Sequence, residues 1–291
     1  MKNKYLYNQK SKEELLEKIK KEPFNRVTCS FYKYVTIDNV QKLRDQLYIE
    51  WNTLQVLGRI YVSKEGINAQ ISVPEYNFDV FKSELYSHKL FRNIPLKTAV
   101  EEGISFLKLT IKIKDEIVAY KVPDNEYDMN KVGKHLDCKK FNKAIDEGAT
   151  VIDMRNYYEG EVGKFENAIT PDVDTSMELL PEIKKLLENK EADKILMYCT
   201  GGIRCEKASA VMLNAGFSNV KQLKGGVLGY FEECGGSHWN GDCFVFDRRV
   251  ALNPQLEETD HQMCFACREP LTEEELTSED YVIGQSCPYC A

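Results

Sequence analysis

The spacing of hydrophobic residues between positions 26 and 121 predicts a small mixed domain. Segments rich in β-branched or alternating apolar residues are separated by stretches with helical spacing. The predicted order is strand, helix, strand, strand, helix, strand, over residues 26–35, 39–55, 59–74, 76–88 and 106–120, with a turn at 65–68. This βαββαβ order is typical of ferredoxin-like, or acylphosphatase-like, domains.

After residue 133 the pattern changes to buried strands that alternate with helices. Continuous apolar runs at 149–156 and 194–199 predict buried strands, and a short strand follows at 220–223. Helical spacing occurs at 135–148, 177–190, 205–216 and 225–235. Strands that alternate with helices over roughly a hundred residues indicate a parallel sheet covered on both faces.

Breaks in these patterns predict the domain boundaries. A charged helix occupies residues 1–25, the ferredoxin-like domain occupies 26–121, and a polar stretch with Pro and Gly forms a linker at 122–133. The α/β domain covers 134–236, and an extension at 237–291 ends in a small cysteine-rich tail. The predicted fold class is therefore multidomain, with one α+β part and one α/β part.

The amino-acid composition predicts where in the cell the protein is located. Hydrophobic residues make up 43% and charged residues 29% of the chain, which is typical of a soluble globular protein. No apolar run approaches the roughly 20 residues that a membrane-spanning helix needs. The charged N-terminus also lacks the apolar stretch of a secretory signal. We therefore expect a cytoplasmic protein that has no membrane partner.

Charge is distributed unevenly between the two halves of the chain. Residues 1–121 hold 21 basic and 15 acidic residues, a net charge of +6, whereas the remainder holds 18 and 31, a net charge of −13. An anionic partner can therefore dock on the N-terminal part, although a solvated lysine-rich surface is the commoner explanation. Lys108, Lys112 and Lys114 share one face of the last predicted strand, and they form either such a surface or a stripe that follows phosphates.

The ten cysteines point to two separate uses. A reducing cytosol argues against a disulfide framework and for metal binding or thiol chemistry. Two Cys-x-x-Cys pairs, 19 residues apart, lie within the last 28 residues. Four thiolates satisfy tetrahedral zinc with no open position, so the pattern predicts structural zinc, with disulfides or a metal-free tail as the alternatives. The predicted ligands are Cys264, Cys267, Cys287 and Cys290.

A glycine-rich loop between a buried strand and a helix carries the candidate reactive residue. The loop consists of Cys199, Thr200, Gly201, Gly202, Ile203 and Arg204. Two glycines allow positive φ and turn successive N–H groups inward, where the amides, the helix dipole and Arg204 stabilise a thiolate on Cys199. A buried structural cysteine is the alternative. The position at the carboxyl end of a parallel strand, where such folds bind ligands, favours the reactive cysteine.

The length of this loop separates two kinds of thiol chemistry. Phosphatase loops have five residues between cysteine and arginine, whereas this chain has four between Cys199 and Arg204. The shorter loop fits a persulfide or a single sulfur atom better than a phosphoryl group.

Five neighbouring residues are candidates for supporting roles. Asp153 and Arg155 end a predicted strand at the same sheet edge as Cys199, where they either order loops or contact substrate. Cys205 begins the following helix and is either a resolving thiol for Cys199 or a packing residue. Glu159 and Glu161 follow the first strand and either gate the site or are solvated loop carboxylates.

Several motifs in chain order resemble one known family. VIDMRNYYEGEVGKFENAITP, YCTGGIRCEKASAVM and QLKGGVLGYFEE are similar to a rhodanese domain. GRIYVSKEGINAQI, CTGGIRCEKASA and CFVFDRRVAL resemble motifs of the bacterial tRNA uridine hydroxylase family, and the likeness extends over nearly the whole chain. The resemblance implies oxygen-dependent hydroxylation of the wobble uridine to 5-hydroxyuridine, with Cys199 as the active-site residue and a persulfide carrier.

The resemblance also implies partners and a co-substrate. The partners would be tRNA, for which Lys108, Lys112 and Lys114 are candidate contacts, and a persulfide donor. Molecular oxygen would be the co-substrate, and its activation needs a metal, a flavin or another activator. No iron-binding triad can be assigned among the histidines and carboxylates, so the sequence does not identify the activator. A rhodanese-type sulfurtransferase and a non-catalytic module that senses persulfides or anions are the alternative functions.

Overall fold

A computed structural model of the chain describes residues 6–99 and 104–291. The chain divides into two compact units, Met1–Ala119 and Tyr120–Ala291. The helices and strands of the first unit are α1 Lys12–Lys20, β1 Arg26–Tyr34, α2 Val40–Thr53, β2 Leu57–Ser63, β3 Gly66–Pro74, α3 Phe78–Ser87, β4 Lys97–Ala99 and β5 Leu109–Ile113.

The leading helix α1 is shorter than the predicted 1–25, and residues 1–5 lie outside the described part of the chain. Its start is fixed by a capping box. The Ser11 side chain accepts a hydrogen bond from the amide of Glu14, and the Glu14 carboxylate accepts one from the amide of Ser11.

The sheet of the first unit has the order β4-β1-β3-β2-β5. β3 pairs antiparallel with β1 and with β2, and β4 pairs antiparallel with β1, as in a ferredoxin-like domain. The predicted last strand at 106–120 occupies a different place: it is the shorter β5, which pairs parallel with β2. The strand beside β1 is β4, whose three residues are too few to show a period of two in the sequence.

The β2–β3 connection needs glycine at position 66. Ser63 pairs with Gly66 in the hairpin, and the φ of Gly66 is 150°. A Cβ atom there would lie 2.1 Å from the carbonyl oxygen of Lys33 on β1. Helices α2 and α3 cover one face of the sheet through a buried aromatic cluster, in which Trp51 lies 5.5 Å from Phe81 and 6.2 Å from Phe31 between ring centroids.

The second unit contains the predicted parallel sheet and the C-terminal extension. Its first elements are β6 Lys134–Leu136, α4 Cys138–Asp146, β7 Thr150–Asp153, α5 Tyr157–Val162, β8 Gly163–Phe165, α6 Ser176–Leu186, β9 Ile195–Tyr198, α7 Ile203–Asn214, β10 Val220–Leu223 and α8 Gly226–Cys234. The extension adds β11 Trp239–Gly241, β12 Cys243–Phe244, β13 Ala251–Leu252, β14 Gln262–Met263, β15 Pro270–Leu271 and α9 Glu273–Leu276.

The four-stranded sheet of this unit has the order β6-β10-β9-β7, and every pairing in it is parallel. Helices α4 and α8 pack on one face, where Phe141 and Phe231 join the same buried cluster as Leu196 of β9. The described elements confirm the predicted fold class, and within the α/β domain they add three short elements, β6, α5 and β8, that were not predicted. The carboxyl end of the central strand β9 leads directly into Cys199.

The polar segment predicted as a linker at 122–133 is hydrogen bonded at its end to the α/β fold. The amide of Gly133 donates to Ser209 Oγ on α7 at 2.8 Å, and its carbonyl accepts from Gln222 Nε2 at 2.9 Å. Just before the segment, the buried Tyr120 hydroxyl donates to the carbonyl oxygen of Arg204 at 3.1 Å. These bonds order the chain along α7, so its last residues are part of the fold.

One disulfide departs from the expectation that the cysteines stay reduced. Cys138 at the start of α4 is bonded to Cys234 at the end of α8, across 96 residues of sequence. The two helices pack side by side on the same face of the sheet, which brings the two Cα atoms to 6.2 Å. Only the tertiary fold creates this proximity, and neither cysteine lies in a recognisable motif.

The extension continues the fold of the second unit. β11 pairs antiparallel with β8, so that Trp239 packs edge-on against Phe165 at 5.1 Å between centroids. β12 pairs with β13, and β14 pairs with β15. Across residues 6–99 and 104–291, no helix is both long enough and apolar enough to span a bilayer.

Candidate active site and cysteine cluster

The Cys199 loop is a turn of four residues between β9 and α7. Helix α7 begins at Ile203, earlier than the predicted residue 205, so Ile203 and Arg204 belong to its first turn. Gly202 is the N-cap residue with a φ of 96°, a conformation that favours glycine. Its amide donates to Cys199 Sγ at 3.1 Å. The predicted orientation of amides toward the sulfur is therefore present.

Helix α8 holds the opposite side of this loop. The amides of Val227 and Leu228 donate to the carbonyl oxygens of Cys199 and Thr200 at 3.0 and 3.2 Å. A Cβ atom on Gly226, whose φ is 66°, would lie 2.5 Å from the Cys199 oxygen. Only glycine permits this close approach, and the loop carbonyls consequently point to α8 while the Gly202 amide points to the sulfur. The Gly-Gly pair at the start of α8 was the sequence signal for this role.

The Cys199 thiol is fully buried and acidic. Burial by itself raises its pKa, but the hydrogen bond from the Cys205 thiol, the positive charge of Arg204 and the amides of residues 204 and 205 together lower the pKa to about 5. The pKa of Cys205 moves in the opposite direction, well above its usual value, because that thiol is buried beside the Cys199 anion. At neutral pH the pair therefore holds a Cys199 thiolate and a neutral Cys205 that donates to it.

The Arg204 guanidinium is held by the buried carboxylate of Glu159, a residue that the sequence analysis placed in a loop. Its Nη1 and Nη2 atoms donate to Glu159 Oε1 and Oε2 at 2.5 and 2.8 Å, and the Glu159 side chain is fully buried. Thr200 Oγ1 lies 3.3 Å from the same carboxylate. The expectation that Glu159 is solvated is wrong, whereas Glu161 is exposed.

Helix α5 explains the position of Glu159. The amide of Asn156 donates to Glu159 Oε1 at 3.1 Å, which marks the start of a helix. An Asn followed three residues later by Glu was therefore the signal that could have placed this residue. With only six residues, α5 is too short to show a helical period.

Asp153 and Arg155 form a second buried ion pair beside the loop. Arg155 Nη2 donates to Asp153 Oδ2 at 2.7 Å and to the carbonyl of Gly163 at 2.6 Å. Tyr198, which precedes Cys199, donates its hydroxyl to Asp153 Oδ2 at 2.7 Å. Both charged residues are fully buried. This geometry fits the ordering of strands and loops rather than contact with a substrate.

The β12–β13 hairpin forms an aromatic wall next to the Cys199 loop. The Phe244 carbonyl lies 3.5 Å from Thr200 Oγ1, and its ring packs edge-on against Tyr158 at 5.4 Å. The guanidinium carbon of Arg204 lies 5.6 Å from the ring centroid of Phe246. Phe244 and Phe246 belong to the motif CFVFDRRVAL, which carried a family resemblance but no predicted role.

The four tail cysteines converge on one point. The Sγ atoms of Cys264, Cys267, Cys287 and Cys290 all lie within 4.8 Å of one another. The sulfur separations are 3.6 Å for Cys267–Cys287 and 3.7 Å for Cys287–Cys290. Tetrahedral zinc with Zn–S bonds of about 2.3 Å requires sulfur separations of about 3.8 Å. The cluster therefore has the donor set and the dimensions of a metal site.

One side-chain hydrogen bond joins the tail to the helix that carries Glu159. The Tyr157 hydroxyl, at the start of α5, donates to Glu269 Oε2 at 2.9 Å. Glu269 follows Cys267 by two residues, and its carbonyl accepts from the amide of Cys264 at 2.8 Å. The cysteine cluster and the Cys199 loop are thus connected through α5.

The three candidate lysines of the first unit are exposed around β5. Lys112 lies on the strand, and Lys108 and Lys114 flank it. The ammonium of Lys114 lies 5.6 Å from the Tyr61 ring centroid. Among the residues that the structure describes, none of the three forms an ion pair with a carboxylate. Their positive charges are available to an anionic partner.

A surface depression of about 500 Å³ along α6 does not suit the same partner. Four carboxylates line it, so it disfavours polyanions. They are Asp172, Asp174, Glu178 and Glu182.

Comparison with known proteins relates both units to described families. Residues 26–117 match the model of the UPF0176 acylphosphatase-like domain, and residues 137–233 match that of the rhodanese-like domain. Both predicted domain types are confirmed by these matches.

Relatives extend the likeness over nearly the full chain, and three of them are named tRNA uridine(34) hydroxylase. The protein from Leptospira interrogans (serovar Lai, strain 56601) is 46% identical over 98% of this chain and 80% of its own length. That from Hamiltonella defensa (strain 5AT) is 42% identical over 91% and 76%, respectively. That from Yersinia pestis (strain Pestoides F) is 41% identical over 98% and 82%.

Proposed function

This chain belongs to the tRNA uridine(34) hydroxylase family, and from that membership we propose that it hydroxylates the wobble uridine of tRNA to 5-hydroxyuridine. The observation that carries the proposal is the buried Cys199 thiolate, which the Gly202 amide, Cys205 and Arg204 stabilise. A thiolate in a rigid, water-poor site is a strong nucleophile and a good acceptor of sulfane sulfur.

Each residue of the loop has a distinct task in this proposal. Cys199 is the reactive centre, in the thiolate or the persulfide form. Gly202 and Cys205 donate hydrogen bonds to its negative charge. Glu159 holds the Arg204 guanidinium in one orientation, so that the positive charge beside the sulfur stays in place. Asp153 and Arg155 order the strand end that carries the loop.

Oxygen is the proposed co-substrate. Adding one oxygen atom of O₂ to uracil carbon 5 and reducing the other to water consumes two electrons and two protons from a donor. Mass spectrometry of nucleosides formed under ¹⁸O₂ measures this step directly. We expect the label in the new hydroxyl group.

The substrate and the location follow from the same proposal. Lys108, Lys112 and Lys114 are proposed tRNA contacts, because they are exposed cations on the basic half of the chain. A persulfide donor would be a second partner if Cys199 reacts in the persulfide form. Because tRNA is its substrate, we place the enzyme in the cytoplasm.

For the tail we propose structural zinc. Cys264, Cys267, Cys287 and Cys290 would hold the ion with no open position, which excludes a substrate from the metal. Zinc would supply folding energy to a tail whose own buried cluster contains only Cys264, Leu271 and Cys287.

The test of the hydroxylase proposal is complementation of a deletion strain, followed by mass spectrometry of tRNA nucleosides. Cys199→Ala should abolish 5-hydroxyuridine while the protein still accumulates in folded form. Cys199→Ser should fail as well, because a hydroxyl has no comparable acidity in this site. Full restoration of the nucleoside by Cys199→Ala would remove the basis of the proposal.

Sulfur transfer is the second candidate, favoured by one observation. The short loop and its inward amides fit a single additional sulfur atom on Cys199. Intact mass after incubation with a sulfane donor detects such an adduct. Turnover of the donor in the absence of tRNA would favour a sulfurtransferase over the hydroxylase.

A further inference from the structure

The tip of the β12–β13 hairpin is held in one conformation by its own contacts. Phe244 pairs with Ala251 in the strands, and the amide of Val245 donates to the Val250 carbonyl at 2.8 Å. At the tip, Arg249 binds Asp247 through two parallel bonds, Nε to Oδ1 at 2.9 Å and Nη2 to Oδ2 at 2.6 Å. These bonds leave the tip little conformational freedom.

Two residues of this tip point outward. Phe246 is 37% exposed and Arg248 is exposed, whereas Val245 and Arg249 on either side are buried. Arg248 forms no ion pair or hydrogen bond within the described ranges 6–99 and 104–291. The ordered hairpin therefore presents one aromatic ring and one unneutralised cation to solvent.

The Phe246 ring lies close to the Cys199 loop through its contact with Arg204. Phe246 lies against the Arg204 guanidinium, which is held by Glu159 in the first turn of α7. Thr200, next to Cys199, contacts the carbonyl of Phe244 two residues before Phe246. The Phe246 ring therefore lies next to the first turn of α7, which follows the Cys199 loop.

Resting on the proposed function, we propose that Phe246 stacks on the target uracil and that Arg248 contacts the tRNA backbone beside it. Enzymes that modify a base act on unpaired nucleotides, and exposed aromatic rings bind such bases by stacking. A neighbouring arginine is the usual phosphate contact. The hairpin and the Cys199 loop together form the uridine subsite.

The first test uses the full-length enzyme and an unmodified tRNA transcript with uridine at the wobble position. Phe246→Leu keeps an apolar side chain against Arg204 but removes the ring. We expect it to weaken tRNA binding and raise KM by about 5- to 150-fold, the range for loss of one base stack. Phe246→Trp should restore binding to within a few fold. Leu186→Ala on α6, equally exposed at 39%, is the matched control and should bind like wild type.

A second measurement separates stacking from an effect on Arg204. The pH midpoint of Cys199 alkylation in Phe246→Leu should equal that of wild type. If the midpoint shifts while KM stays unchanged, Phe246 acts only on the loop and the proposal is wrong. The proposal would also be wrong if Phe246→Leu forms 5-hydroxyuridine with an unchanged KM and unchanged affinity for tRNA. Absence of 5-hydroxyuridine with wild type is a different result, because that failure belongs to the proposed function.

Arg248 is tested by salt dependence. Arg248→Ala should weaken tRNA binding and reduce the slope of log K against log salt by about 0.7, the value for one contact to single-stranded phosphate. Lys139→Ala on α4, an exposed cation of the same unit, is the charge-matched control. An unchanged slope in Arg248→Ala, or an equal change in both variants, would refute a specific phosphate contact.

Discussion

The Cys199 loop and the four-cysteine cluster of the tail both place sulfur atoms in tight turns, but they differ in how negative charge on sulfur is balanced. Cys199 is one buried thiolate among an amide, a neutral thiol and an arginine that belongs to an ion pair. In the tail, four sulfur atoms lie within 4.8 Å of one another.

This difference determines what each site needs from outside the protein. Protein groups alone balance the single anion at Cys199. Four thiolates at the short distances of the tail would repel one another, and the proposed zinc would balance their charge. Under the proposed function, the same residue type is therefore reactive in one turn and structural in the other, according to its neighbours.

Loss of the proposed tail zinc should give the largest effect of all. We expect one zinc ion per chain in the purified protein and none in Cys264→Ser, because three thiolates bind zinc much more weakly. The lost binding free energy is about 10–16 kcal/mol for structural zinc sites. Metal analysis and limited proteolysis of residues 237–291 measure the loss. Cys199→Ala is the control and should keep its zinc. Retention of zinc by Cys264→Ser would contradict the proposal that the four tail cysteines hold the ion.

Loss of the Glu159 carboxylate is the next largest effect. Glu159→Gln keeps the shape of the side chain but removes the carboxylate that pairs with the buried Arg204 guanidinium. We expect a loss of about 3–5 kcal/mol in the free energy of unfolding. Urea denaturation measures it, with Glu161→Gln as the control because that carboxylate is exposed. If the two variants unfold with equal free energy, the Glu159–Arg204 ion pair does not stabilise the fold and the explanation is wrong.

The pH dependence of Cys199 provides a smaller effect. Its pKa of about 5 lies below that of a free thiol, so the rate of alkylation, limited by the burial of the sulfur, should reach a plateau above pH 5 and fall as the pH drops through that value. The stability that the thiolate contributes should be lost over a wider range, from about pH 9 down to pH 5. Cys205→Ala removes one donor and should raise the alkylation midpoint by about one to two pH units. A midpoint near 9 in the folded wild-type protein would contradict this explanation of the site.

The hydrogen bond that links the two regions should have the smallest effect. Tyr157→Phe deletes the hydroxyl that donates to Glu269 and should cost about 1 kcal/mol of unfolding free energy. Tyr281→Phe is a control in the same tail. If the alkylation midpoint of Cys199 also shifts in Tyr157→Phe, the cluster and the reactive loop are coupled through α5. An unchanged midpoint would show that the two sites are independent.

Features with local signals were accessible from the sequence. The apolar run of β9, the two glycines and the following helix lie within about twenty residues, so the loop and the acidity of Cys199 could be anticipated. The spacing of the tail cysteines likewise predicted their convergence, which the structure contains.

Features that depend on distant contacts were not accessible. Glu159 and Arg204 are 45 residues apart, and the Cys138–Cys234 disulfide spans 96. β4 and α5 are too short for their periods to be recognised. Phe246 has no pattern that distinguishes it from a core residue until the hairpin exposes it.

The packing of Gly226 on the carbonyls of Cys199 and Thr200 has a consequence for protein engineering. The geometry around the sulfur comes from two adjacent strand-to-helix turns, one of which never touches the reacting atom. Grafting the six-residue motif alone onto another parallel scaffold would leave those carbonyls free to rotate inward. A successful transplant would have to carry both turns, with glycine retained in the second.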